Sequence, residues 1–174
     1  LTRRLITMTG NFAPMDIEIK TERLLLSMWE ESDTSWYREL VSERGAGMPP
    51  LDTARNNIIR LRDKAPENEI SLLTIRRQHE GDFIGYCGLI IGRSTLEEPE
   101  IAYELFQRVH GNGYATEAAS AVLEAAIATG RRRLWATVRS WNIASFRVLE
   151  KLGFERHRST WDDRGEIVWS VREL

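Results

Sequence analysis

Apolar residues recur along this chain with two different periods, and the alternation between them predicts a mixed α/β fold. "RLLLSMW" (Arg23 to Trp29) is an apolar run of strand length. An acidic start at Glu30 to Asp33 then opens a helical stretch through Trp36, Tyr37 and Leu40. "RGAGMPPL" interrupts the pattern with glycines and prolines and reads as a loop. Asp52 is placed to cap a second helix that offers Ile58, Ile59 and Leu61 to a core. Strand spacing returns in "ENEISLLTIRR", "HEGD" supplies a hairpin turn, and "FIGYCGLIIG" reads as the partner strand.

After a turn around Glu97 to Pro99, "EIAYELF" is a further strand, and it runs directly into "HGNGYATEA". From there Ala115, Ala118, Ala119, Val122, Leu123, Ala126 and Ile127 follow helical spacing, with Gly130 placed to end the helix. "RLWATVR" (Arg133 to Arg139) puts Leu134, Ala136 and Val138 on one face of a strand and Trp135 and Thr137 on the other. Strand, helix, strand in this order is a βαβ crossover, so "EIAYELF" and "RLWATVR" should be parallel. Asn142 can cap the next helix, in which Ala144, Val148, Leu149 and Leu152 are expected to be buried and which Gly153 ends. "RHRSTW" and "EIVWSVREL" close the chain as an antiparallel pair around "DDRG".

Composition narrows the partners more than the fold. The 174 residues, 42% apolar and 29% charged, suit one domain with a sizeable core, expected over residues 16–174, with 1–15 as a poorly ordered extension. A net charge of −2 supplies no global field to gather nucleic acid or anionic lipid. The single cysteine, Cys87, and three scattered histidines lack metal-ligand spacing, so metal-free chemistry is expected. Cys87 in its apolar strand reads as a buried thiol, and Arg131 to Arg133 as a solvated helix end. Trp135 and Trp169 read as core, while Trp29, Trp36, Trp141 and Trp161 fall near loop ends where an acceptor pocket could form.

The glycine pair at Gly111 and Gly113 carries the strongest chemical signal. Glycines at the mouth of a helix allow close approach of a ligand, and the free N–H groups of the first turn favour an anion such as phosphate. A Walker loop needs Lys and Ser or Thr after its last glycine, where Tyr114 and Ala115 stand. A dinucleotide fingerprint needs Gly or Ala at Thr116 and an acid after the next strand, where "VRS" stands.

"QRVHGNGYATEA" followed about thirty residues later by "NIASFRVLEKLGF" resembles the GNAT (GCN5-related) N-acetyltransferase superfamily, nearest its RimJ/RimL-like branch of ribosomal-protein alanine N-acetyltransferases. The resemblance implies a mixed, mostly antiparallel twisted sheet with a splayed parallel strand pair and helices on both faces. It also implies an acetyl-CoA-dependent enzyme that moves an acetyl group directly to a primary amine, either a protein N-terminus or a small molecule. By the same resemblance, Leu105 and Phe106 would contact pantetheine. The backbone of Val109, His110, Gly111, Asn112, Gly113, Tyr114 and Ala115, with Arg108, would hold the pyrophosphate, and Asn142 would touch the arm. Glu104 stands either as the base or as a salt-bridged strand residue, and Ser145 either as the donor to the leaving thiolate or as a locally bonded helix residue. Expected partners are acetyl-CoA and an amine, with no metal, membrane or nucleic acid, in a cytoplasmic monomer or homodimer. Asp162, Asp163 and Glu104 could attract a cationic acceptor. The alternatives are a catalytically weak acyl-CoA-binding or sensing module of the same fold, and a flavodoxin-like nucleotide binder.

Overall fold

In the computed structural model, which describes residues 12–174, eight strands form one sheet in the order β1-β2-β3-β4-β5-β6-β8-β7. The strands are β1 (Glu18–Lys20), β2 (Leu24–Ser27), β3 (Leu72–Arg77), β4 (Phe83–Ile90), β5 (Glu100–Leu105), β6 (Arg133–Arg139), β7 (Glu155–Asp162) and β8 (Gly165–Glu173). The helices are α1 (Thr34–Ser42), α2 (Leu51–Asn68), α3 (Tyr114–Ala128) and α4 (Ile143–Lys151). All strand pairs are antiparallel except β5 with β6, the parallel pair that the crossover requires.

Alternation along the strands sorts the two faces of the sheet. Tyr86 is paired with Glu104 and with Thr74, so these three share a face, and Thr137 joins them by donating to Glu100 at 2.6 Å. Cys87, Tyr103 and Leu105 take the opposite face, where Tyr103 reaches α4. Small residues let α3 lie close on that second face: Ala118, Ala119, Val122 and Ala126 are fully buried.

The elements depart from the sequence reading at several ends. Pro50, not Asp52, occupies the cap position of α2; Asp52 lies exposed in the first turn, 3.6 Å from Arg55. That helix also runs through Pro66 to Asn68 and stops at Glu69, which has left-handed geometry, so Glu67 and Asn68 are helical rather than part of a strand approach. In α4 the buried face is Phe146 and Leu149, with Leu152 just beyond the helix, while Ala144 is exposed. A bulky ring at 146 takes the inward direction that the spacing had left to Ala144. Residues 1–11 of the expected extension lie outside the described residues. The described part of that stretch is tied down: the Ala13 amide donates to Thr129, the Met15 amide donates to Glu69, and Met15 is buried.

Candidate functional site

The parallel pair is bridged at one register only, Glu100 beside Trp135, with the Trp135 amide donating to the Pro99 carbonyl at 2.9 Å. Beyond that vertex β5 and β6 separate. The Phe106 amide donates to Ile84 across the β4 ladder, and antiparallel ladders use every second residue. Leu105 and Tyr103 therefore turn their backbone groups away from β4, into the gap. The His110 imidazole Nε2 lies 2.9 Å from the Leu105 carbonyl, and the Tyr103 hydroxyl crosses the gap to donate to the Ser145 carbonyl at 3.1 Å.

Above the gap, Gly111 and Gly113 have φ of 79° and 80°, a region that a Cβ disfavours. A Cβ on Gly111 would meet no protein atom within 4 Å, so that side of the loop is open to a ligand. Among the described residues, the amides of Gly111, Asn112, Gly113, Tyr114, Ala115 and Thr116 donate to no protein acceptor, the first helical bond of α3 running from Glu117 to Gly113. Free amides converging at a helix start form an anion cradle.

Not every residue expected at this cradle is available to it. The Val109 and His110 amides are used inside a short turn, by Phe106 and Gln107, and the Phe106 ring is buried against Phe83. Arg108 turns the other way, its guanidinium 4.4 Å from the centre of the Phe106 ring and donating to the Phe83 carbonyl at 3.3 Å. Asn142 caps α4, its side-chain oxygen accepting from the Ser145 amide at 3.2 Å. Arg23, which sequence reading did not single out, props the loop from outside. It donates to the Asn112 carbonyl at 2.9 Å and to Glu117 at 2.7 Å, and stacks 4.6 Å from the Tyr114 ring centre. Partial burial pushes the Glu117 carboxyl up, but hydrogen bonds from Thr21 and Arg23 outweigh it and hold the group below its ordinary value.

The other face of β5 presents a different kind of chemistry. Glu104 is held by the Arg44 guanidinium and accepts from the Tyr86 hydroxyl at 2.8 Å. Burial, and then the neighbouring Glu104 charge, push the Tyr86 phenol well above its ordinary range, so it stays a proton donor. Glu43, at the end of α1, accepts from the Gln107 amide at 2.9 Å, so the loop after α1 is tied to the strand end at two points. Asp162 is no free attractor for an amine. Arg139 grips both of its oxygens at 2.7 and 2.8 Å and Arg93 stands at 3.8 Å; the Arg139 contact first, then the Arg164 amide, holds the carboxyl down at about 2. Cys87 is fully buried on the far face, and burial pushes its thiol well above its ordinary value.

Beside Tyr86 lies a pocket of about 140 Å³ between the segment after β2, α1, α2 and the sheet. Its walls are Trp29, Tyr37 and Tyr86, closed by Leu61 and Leu72 and rimmed by Asn57 and Arg60. Trp29 is buried, yet its indole N–H has no hydrogen-bond partner, a state that costs about 1–3 kcal/mol. Of the tryptophans near loop ends, only Trp29 meets this pocket; Trp36, Trp141 and Trp161 are exposed. Trp169 is core, and Trp135 is half-buried with its N–H on Glu98 at 2.9 Å.

Residues 23–155 match the family model described as an acetyltransferase (GNAT) domain. The chain belongs to the GNAT acetyltransferase family. The uncharacterized protein YkkB of Bacillus subtilis is 36% identical over 88 residues, a stretch covering 48% of this chain and half the length of that protein. A GNAT-family acetyltransferase from Bordetella pertussis superposes with a TM-score of 0.78 at 22% identity, over 89% of this chain and 98% of that one. RimL, a ribosomal L7/L12 alpha-N-protein acetyltransferase solved with coenzyme A, gives a TM-score of 0.78 at 16% identity, over 90% and 98% of the two chains. The GNAT family and fold expected from the glycine-rich loop and the later helix thus stand, and the likeness to RimL holds at the level of the fold. Among the described residues no helix is long and apolar enough to cross a membrane.

Proposed function

We propose that this chain is an acetyl-CoA-dependent N-acetyltransferase that moves the acetyl group directly to a primary amine. The observation that carries the reading is the single strand β5, whose edge opens on the gap under six free amides while its other face carries Glu104. The amides of Gly111 to Thr116 would hold the pyrophosphate, and the backbone of Tyr103, with the N–H of Leu105 beside the carbonyl that His110 holds, would pair with the pantetheine arm as an added strand does. Leu105 N–H, pointing into the gap, is placed to donate to a thioester oxygen as it gains charge.

The amine must lose a proton on attack. Glu104, directly or through a water, accepts it, with Arg44 and Tyr86 fixing the carboxylate's direction. Ser145, whose carbonyl the Tyr103 hydroxyl already holds, is the donor for the departing thiolate in this reading. Cys87, buried and away from any base, takes no part, so transfer needs both substrates at once.

Thiol release from acetyl-CoA, measured against small amines, polyamines and peptides beginning with Ala, Ser or Thr, tests this reading. Acceleration by at least one amine, with intersecting double-reciprocal lines, is the expected result. Tight acetyl-CoA binding without release for any acceptor would instead establish a coenzyme-binding module, a reading favoured by the full occupation of Glu104 by Arg44 and Tyr86.

A further inference from the structure

The pocket beside Tyr86 belongs to neither the cradle nor the gap. Its chemistry is one-sided: three aromatic rings, two leucines and the donors of Trp29, Asn57 and Arg60, with no acidic residue among the seven. Trp29 stacks edge-on against Tyr37 at 5.6 Å and lies 6.0 Å from the Tyr86 ring, so the indole is fixed in place. Its N–H is buried and unpartnered. Arg60 donates to the Asn57 side chain at 2.7 Å and forms no ion pair among the described residues. At one small cavity the wall thus holds a buried donor without an acceptor and the exposed rim a guanidinium that no carboxylate claims among the described residues, a pairing that suits an anionic ligand group.

Tyr86 connects this demand to the transfer site. Its ring is a wall of the pocket and its hydroxyl donates to Glu104. Resting on the acetyltransferase reading, we infer that the acceptor is a small primary amine that also carries a carboxylate, the amine lying by Glu104 and the carboxylate in the Trp29–Asn57–Arg60 pocket. The two ends must be separated by more than the two bonds of an α-amino acid, because a phenol ring stands between the sites. A cavity of about 140 Å³ is close to what one benzene-sized ring fills, which limits the bound end to a carboxylate on an aryl or short alkyl body. A polyamine would place a second cation beside Arg60 and is disfavoured.

The test pairs 4-(aminomethyl)benzoate with 4-(aminomethyl)benzamide, and 5-aminopentanoate with its amide, as acceptors for the wild-type chain. The expected kcat/KM ratio is at least tenfold in favour of each carboxylate, collapsing toward unity in Arg60→Gln and in Trp29→Phe. Trp29→Phe keeps an aromatic filling while removing the N–H; should it fail to fold, Asn57→Leu at the half-buried rim replaces it. Equal use of acid and amide, or a preference that survives both substitutions, overturns the inference. Calorimetric titration with benzoate supplies a readout free of turnover. Benzoate binding lost in Arg60→Gln, in a chain that acetylates nothing, would retain the anion pocket and reject the transferase reading; transfer to amines without benzoate binding would do the reverse.

Discussion

The two faces of β5 solve two problems with different materials. Toward α3 and α4 the groups left open are backbone amides, six of them on consecutive residues, shaped by two glycines. Toward α1 and α2 they are side chains gathered from the segment after β2, α1, the α1–α2 loop, α2, β3 and β4. Amides tolerate change in the side chains around them, provided the turn keeps its shape. A site assembled from Trp29, Arg44, Arg60 and Tyr86 is altered by any one substitution. The proposed coenzyme side is therefore the part that a family can hold constant, and the proposed acceptor side the part that each member can rewrite.

The largest effect expected to sharpen this contrast is at Glu104. Glu104→Gln keeps shape and removes the proposed base, so turnover should fall roughly a hundredfold with little change in acetyl-CoA affinity. Profiles of rate against pH, taken with acceptors of different basicity, check it; a variant matching the parent on all of them would reduce Glu104 to a salt-bridge partner of Arg44.

Next in size is the cradle itself. Gly111→Val or Gly113→Val forces a β-branched residue into positive φ, and acetyl-CoA affinity by calorimetry should drop at least about tenfold while circular dichroism stays native. Arg108→Ala, by contrast, should change affinity little, because that guanidinium faces Phe83 and Asp82. An Arg108 effect larger than the glycine effects would break the claim that backbone dominates this side.

A smaller effect is expected at the prop behind the loop. Glu117→Gln should lower stability by about 1 kcal/mol in thermal or urea unfolding. The Glu117 carboxyl is depressed in the folded chain, so its contribution is present above its ordinary value of 4.5 and disappears as pH falls through the lower folded value. The wild type should therefore lose its advantage over Glu117→Gln only in acid; an equal advantage retained in strong acid would point to packing instead of charge. Smallest of all, Cys87→Ala should keep parental turnover and sequential kinetics, since its thiol is sealed on the sheet face away from Glu104.

The same division explains what the sequence disclosed. Consecutive backbone groups are written by consecutive residues, so "HGNGYATEA" showed the cradle, the crossover after it showed the parallel pair, and Asn142 showed its cap. What stayed hidden was long-range. Arg23 meets Asn112 and Glu117 across some ninety positions, Arg44 meets Glu104 across sixty, and nothing in the local pattern around either arginine marks it. Asp162 looked like a free acid because Arg139, its partner, lies on another strand. The engagement of the Val109 and His110 amides was hidden for a subtler reason: a short turn before the helix consumes them, and a turn of three residues has no period to read.

The single bridge between β5 and β6 leaves the pair with little to keep it from slipping along itself, because register is ordinarily held by a full ladder. Glu100 supplies the missing lock. Buried at the vertex, it accepts from the Thr137 hydroxyl with one oxygen and from the Arg93 amide with the other. A slip of two residues, the smallest that preserves which face each side chain takes, would move the open edge of Tyr103 and Leu105 by roughly 7 Å relative to β6 and α4. The tolerance of the gap is thus set at its closed end, by a buried carboxylate, much as the reading of a caliper is set by its zero stop.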